Sequence, residues 1–180
     1  MPPPYHLPIV HAGITYDLAH LNPFQIAVDS TKAGRSLLIH VRFTNHCFSE
    51  SLDPALHGAD VTTIPNQRPL RVFSPTRYGL SQMLPATIQG MTGLQTQVQQ
   101  TVAERNWVYS VSVATAAGPY HIFFVLRRAS QGDRKLQDLN MTIESAYPQQ
   151  GQPAPQVRGR MGFTLLAGKV FLGEPVATRR

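Results

Sequence analysis

The sequence has a single cysteine, Cys47, and no long hydrophobic run. One cysteine cannot close an internal disulfide, and secreted proteins more often carry an even set, so a reducing compartment is favoured. The first residues, Met-Pro-Pro-Pro-Tyr-His, show neither the basic nor the apolar segment of a signal peptide. No stretch approaches the ~20 apolar residues that cross a bilayer. We therefore expect a soluble, cytoplasmic protein with no membrane partner.

Charged residues are also scarce, at 14% of the chain, whereas glycine and proline number 13 and 15. This composition favours many turns, and it disfavours long surface helices that carry many ion pairs. A chain of 180 residues buries enough surface to fold without a metal or a disulfide, and we expect no cofactor. We predict a disordered or extended Pro-rich lead over residues 1–12, one domain over 13–170 and a frayed tail over 171–180.

Positive charge is in excess and is unevenly placed. The net charge is +6, and residues 91–180 hold ten Lys and Arg against five Asp and Glu. A basic half of this kind attracts polyanions, of which nucleic acid is the commonest. The competing interpretation is that the basic residues serve only solubility.

The periodicity of apolar residues predicts an α+β fold. Alternation around residues 37–43 indicates one arm of an N-terminal β-hairpin. A long loop follows over 49–75, and a central helix is predicted to begin near Arg77. The pattern of the last third of the chain predicts a four-stranded antiparallel meander packed on that helix. Its strands are predicted over residues 107–114, 120–128, 138–146 and 160–166.

One face of this predicted sheet gathers polar residues. The alternation places on it Ser110, Ser112, His121, Arg127, Thr142, Glu144, Arg160 and Thr164. A metal-independent ribonuclease needs a base, an acid and guanidinium groups that hold the phosphate. A solvated sheet face with ordinary charges has the same pattern, so the signal is suggestive and not specific.

Metal and cofactor signatures are missing from the sequence. His40, His46, Cys47 and His57 are the residue types that bind zinc, but their spacing matches no standard finger or ribbon. There is no phosphate-binding Gly-rich loop and no dinucleotide fingerprint. No metal site is predicted, and Cys47 is expected to be a small core residue.

Four segments carry a resemblance to a known family. They are His46-Cys47-Phe48, Arg77-Tyr-Gly-Leu-Ser-Gln-Met-Leu-Pro85, Phe123-Phe-Val-Leu-Arg127 and Ile143-Glu-Ser-Ala-Tyr147. Over roughly residues 35–170 the chain resembles an uncharacterised family of small bacterial proteins from prophages, plasmids and other accessory regions. A helix followed by a four-stranded sheet is similar to the barnase, colicin and RelE type of nuclease. That likeness implies an RNA-cleaving toxin, with a protein antitoxin or inhibitor as its partner.

The leading hypothesis is an RNA-acting protein, with ribonuclease activity as its most specific form. Glu144 would be the base, His46 or His121 the acid, and Arg77 and Arg127 the phosphate clamps, with Ser145 and Tyr147 positioning the substrate. Nucleic-acid binding is assigned to four arginines: Arg127, Arg128, Arg158 and Arg160. The alternatives are a non-catalytic nucleic-acid-binding module and a phage accessory or interaction protein without nucleic-acid activity.

Overall fold

A computed structural model describes residues 4–58, 60–93, 95–101, 109–116, 118–149 and 156–176. Within those ranges the chain forms eleven strands: β1 (Ile9–His11), β2 (Ile14–Tyr16), β3 (Phe24–Ser30), β4 (Arg35–Phe43), β5 (Ser49–Ser51), β6 (Arg71–Phe73), β7 (Gln97–Thr101), β8 (Tyr109–Thr115), β9 (Gly118–Arg128), β10 (Leu139–Pro148) and β11 (Val157–Gly162). The helices of the same ranges are α1 (Pro75–Ser81), α2 (Leu84–Gly90) and α3 (Phe163–Leu172). Short 3-10 turns lie at Ala19–Leu21, Asn45–Cys47 and Asp133–Lys135.

Seven strands form one mixed sheet in the order β11-β7-β8-β9-β10-β4-β3. All neighbours are antiparallel except β4 and β10, which pair in parallel with Ile39 opposite Leu139. The sheet is curled, and α3 contacts strands at both of its edges, β3 and β11. The pairs β1–β2 and β5–β6 form two small separate sheets.

The core lies on the concave side of the sheet. In β4 the odd-numbered residues from Leu37 to Phe43 are fully buried, and the even-numbered residues are more exposed. Strand β10 alternates in the same way up to Ile143, so both strands turn one apolar face inward. The opposite, outer face of β4, β10 and β9 carries the polar residues.

The predicted architecture is wrong. In place of a central helix with a four-stranded antiparallel meander, the structure has a seven-stranded curled mixed sheet. The predicted N-terminal hairpin exists as β3 and β4, but it joins the same sheet through β10 instead of standing apart. Helices and strands are both present, so only the broad α+β description holds.

The helix near Arg77 is short and broken. It consists of α1 and α2, which are separated at Gln82 and Met83, and each has a proline at its start. Pro85 lacks an N–H and fits the first turn of a helix, so it begins a new helix where it could not continue the old one.

The predicted strand over residues 160–166 ends early. Strand β11 stops at Gly162 and α3 begins at Phe163. Phe163, Leu166 and Ala167 are fully buried, and their spacing of three and four is the helical period. The sequence predicts a strand here because a short apolar run fits the two-residue period of a strand as well as the period of a helix.

Candidate nucleic-acid interface

A groove of about 500 Å³ lies on the outer face of the central strands. Strands β4, β10 and β9 form its floor, and the turn after β9 forms one wall. It is lined by His40, Arg42, Val125, Arg127, Arg128, Ser130, Asp133, Gln137, Asn140, Thr142 and Glu144. Of the predicted site residues, the groove therefore brings together Glu144, Arg127 and Arg128.

The arginines of the groove are free of carboxylate partners. Arg42 donates from Nε to Oγ1 of Thr142 at 2.9 Å, and Arg127 and Arg128 are exposed. Within the described ranges no ion pair involves any of these three guanidinium groups. Their positive charge is therefore available to an anion in the groove.

A β-bulge lies at Glu144, which lines the groove. The pairing of β10 with β9 slips between Ile143 and Ser145, which leaves Glu144 as the extra residue. Its backbone carbonyl accepts a hydrogen bond from Oγ1 of Thr44 at 2.7 Å, and its side chain is exposed. After the bulge the parity of the strand changes, so that Ser145 and Tyr147 also lie on the outer face.

Two aromatic side chains lie on the outer face of the sheet, beyond the bulge at Glu144. The rings of Phe123 and Tyr147 stack with centroids 5.2 Å apart and an interplanar angle of 18°. The guanidinium carbon of Arg77 lies 5.6 Å from the Tyr147 ring centroid, a cation–π distance. Ser145 is the cross-strand neighbour of Phe123. Arg77, Ser145 and Tyr147 thus come together, at the far end of β10 from Arg127.

The two histidines predicted as acids lie outside the groove. His121 is 5% exposed and its ring bonds Oγ of Ser112 at 2.8 Å and Oε1 of Gln149 at 3.0 Å. An amide oxygen only accepts, so Nε2 donates to Gln149, while Nδ1 bonds the serine hydroxyl. Both ring nitrogens are therefore already engaged.

His46 lies beside two arginines, in the 3-10 turn Asn45–Cys47 that follows β4. Burial lowers the pKa of His46 to about 4, and the charges of Arg71 and Arg77 contribute in the same direction. Arg77 donates from Nη1 to the backbone oxygens of His46 and Ser49, at 3.3 and 2.9 Å. At neutral pH the His46 ring is consequently uncharged.

The predicted binding arginines divide into two groups. Arg127 and Arg128 line the groove, whereas Arg158 and Arg160 lie on β11, the strand at the opposite edge of the sheet. Sequence reasoning missed Arg42 and His40, which lie on the outer face of β4. The alternation of β4 placed both opposite its buried residues, but nothing in it signalled that β4 would pair with β10.

The described part of the structure gives little support for a reactive cysteine or a metal site. Cys47 is fully buried, and burial raises the pKa of its thiol to about 12. In the described part of the chain no three His, Cys, Asp or Glu side chains come together as a metal site would require. The same residues include no helix long and apolar enough to cross a membrane.

Comparison with known proteins gives a family and no further relative. No curated protein and no solved structure matches the chain. The expectation of an uncharacterised family is supported, whereas the motifs quoted for it and the nuclease-type fold gain no support. One family model covers residues 8–171, nearly the whole domain, and the chain therefore belongs to the YjaZ family.

Proposed function

We propose that the protein binds single-stranded RNA across the outer face of its sheet. The observation that supports this most directly is the groove, in which no ion pair between described residues involves Arg42, Arg127 or Arg128. Phosphate contacts by Arg and Lys supply most of the affinity of a non-specific nucleic-acid site. Arg134 and Lys135, both exposed in the turn beside the groove, add to the positive field.

The half-buried rings of Phe123 and Tyr147 favour a single strand over a duplex. Proteins that hold single strands combine a basic groove with aromatic side chains on which bases stack. Here the two rings share the sheet face with the groove, separated from it by the bulge at Glu144. Truncating one such ring typically costs about 1–3 kcal/mol of binding free energy per stacked base.

Salt-dependent binding tests this proposal. Fluorescence anisotropy with a labelled single-stranded RNA should give an affinity that falls linearly on logarithmic axes as salt rises. Arg42→Gln and Arg127→Gln should each reduce the slope by about one phosphate contact, or 0.7 of a counterion. Arg158→Gln, on the far edge strand, is the matched control and should change the slope little. An affinity that is independent of salt, or equal losses in all three variants, would contradict a site in the groove.

RNA cleavage is the second candidate, and what favours it is the carboxylate of Glu144, which lines the groove and forms no ion pair within the described ranges. The histidine that lines the groove with Glu144 is His40, whose cross-strand neighbour is Asn140. Glu144 lies four positions after Asn140 on β10, about 13 Å along the backbone, so His40 and Glu144 are not cross-strand neighbours. Because His46 and His121, the two predicted acids, do not line the groove either, binding is the better-supported function.

End-group analysis separates the two candidates. A metal-independent ribonuclease of this type leaves 2′,3′-cyclic phosphate ends in the presence of a chelator, and Glu144→Gln should then abolish cleavage while binding is kept. A cleaving protein would be toxic to its host, so an antitoxin would be its expected partner. Intact RNA with retained binding supports the non-catalytic function. No affinity at physiological salt would favour an interaction protein.

A further inference from the structure

A second basic cluster lies around the backbone oxygen of Ser49, where two guanidinium groups meet. Arg71 donates to this oxygen from Nη2 at 2.6 Å, and Arg77 donates to it from Nη1 at 2.9 Å. Arg71 also donates from Nε to Oγ of Ser49 at 2.9 Å. Arg71 is 7% exposed, which is rare for a charged residue that forms no ion pair with the described residues.

The cluster has more positive than negative charge. Its one carboxylate, Glu50, lies 3.6 Å from Nε of Arg77, while its other oxygen bonds Nε2 of His57 at 3.2 Å. Arg71 has no carboxylate within ion-pair distance among the described residues. His46 is neutral at pH 7 because its pKa is about 4. Two cations therefore share one loosely held anion, and an uncompensated charge that is partly buried is costly.

Two guanidinium nitrogens of the cluster are available to donate hydrogen bonds to a ligand. Nη1 of Arg71 and Nη2 of Arg77 donate to no acceptor in the described part of the chain. Guanidinium groups recognise phosphate by paired N–H donors, and two of them neutralise a dianion. The partly exposed side chains of Arg77 and Glu50, at 20% and 37%, leave the cluster open to solvent on one side.

We propose that Arg71 and Arg77 form a partly buried site for a phosphate dianion, which displaces Glu50 from Arg77. The phosphate belongs either to a free phosphorylated small molecule or to the 5′ end of a strand bound on the sheet face. The second source rests on the proposed RNA binding, because Arg77 also contacts Tyr147 on that face. The first source is independent of it.

Thermal unfolding in inorganic phosphate tests the site. Against sodium chloride of equal ionic strength at pH 7.5, phosphate should raise Tm with the logarithm of its concentration, by about 5–10 °C at a hundredfold excess over Kd. Arg77→Gln and Arg71→Gln should lose this rise, and Arg134→Gln, an exposed arginine elsewhere, should keep it. Because the first two variants remove structural hydrogen bonds, Glu50→Gln is the sharper test. It removes the competing carboxylate and should tighten phosphate binding several-fold.

Two further measurements distinguish phosphate binding at Arg71 and Arg77 from a purely structural role of these residues. They also identify the source of the phosphate. Bound phosphate should raise the pKa of His46 in an NMR titration, since an adjacent anion stabilises the imidazolium ion. A 5′-phosphorylated RNA that binds more tightly than its 5′-hydroxyl counterpart, with the difference lost in Arg77→Gln, indicates the strand end. Phosphate binding without that difference indicates a small molecule. No phosphate-specific rise in Tm for either wild type or Glu50→Gln would overturn the site, whatever the result for RNA.

Discussion

At the scale of single residues, Cys47 illustrates how burial decides reactivity. Its Sγ lies 3.8 Å from the backbone oxygen of Ile143, inside the core, and the pKa of its thiol is about 12. Only the thiolate is nucleophilic, so a thiol with this pKa is inert at ordinary pH. We expect no reaction of the folded protein with Ellman's reagent at pH 8 and one thiol per chain in denaturant. Rapid labelling of the folded protein would contradict the burial of Cys47.

Gly168 is required by the close approach of α3 to the β3–β4 hairpin. A Cβ at this position would overlap Oγ of Ser30 and lie 2.7 Å from Cβ of Lys32. Ser30 is itself held by a hydrogen bond to the backbone oxygen of Thr164 at 3.0 Å. Gly168→Ala should therefore lower the free energy of unfolding by about 1–3 kcal/mol in urea denaturation.

The matched control for that variant is Gly79→Ala. Gly79 lies in α1 and a Cβ there meets nothing within 4 Å. Alanine in a helix is about 0.5–1 kcal/mol more favourable than glycine, so this variant should be neutral or stabilising. Equal losses of stability in both variants would contradict the close contact at Gly168.

At the scale of elements, Asp138 fixes the register between β4 and β10. Its carboxylate accepts two hydrogen bonds from Nη2 of Arg35, at 2.8 and 2.9 Å, and one from the backbone N–H of Leu38 at 2.8 Å. Its own N–H donates to the backbone oxygen of Leu38 at 2.8 Å. These bonds join the starts of two parallel strands that no turn connects.

We expect Asp138→Ala to destabilise the protein by about 1–3 kcal/mol, because it leaves the Leu38 N–H without its acceptor. Arg35→Ala should cost less, about 0–1 kcal/mol, since Arg35 is largely exposed and the ion pair alone is weak. Urea denaturation of both variants measures the difference. A larger loss for Arg35→Ala would show that the ion pair, and not the backbone clamp, holds the strands together.

The sequence predicted the elements with strong local patterns. The alternation of residues 37–43 and the turns between residues 115 and 139 correctly placed β4, β8, β9 and β10. The pairing of β4 with β10 has no local signature, because it depends on residues about 100 positions apart. The same pairing brings Arg42 beside Thr142, so the groove was only half predictable. The partners of His121 and the change of side-chain parity after the bulge at Glu144 also depend on long-range register.

At the scale of the whole molecule, buried histidines make the fold sensitive to acid. Burial lowers the pKa of His46 to about 4 and also lowers the pKa of His6 and His20, from an ordinary value of 6.5. The unfolded chain thus takes up protons near pH 6.5, before the folded protein does. The free energy of unfolding must therefore fall as the pH drops from about 6.5 toward 4.

His46 is half-buried, so we expect it to account for about 1–2 kcal/mol of this loss. Urea denaturation at pH 7, 5.5 and 4.5 should show a shallower dependence for His46→Gln than for the wild type. Parallel curves for the two proteins would indicate that His46 titrates alike in both states.

The parallel pairing of β4 with β10 also has a consequence for synthesis on the ribosome. The β3–β4 hairpin is complete at Phe43, but its partner strand begins only at Leu139. At about 5–20 residues per second, roughly 5–20 s pass before that partner has been made. During this time the inner edge of β4 presents unpaired backbone groups, which are a template for aggregation. The nascent N-terminal hairpin is therefore the segment that a chaperone would be expected to shield.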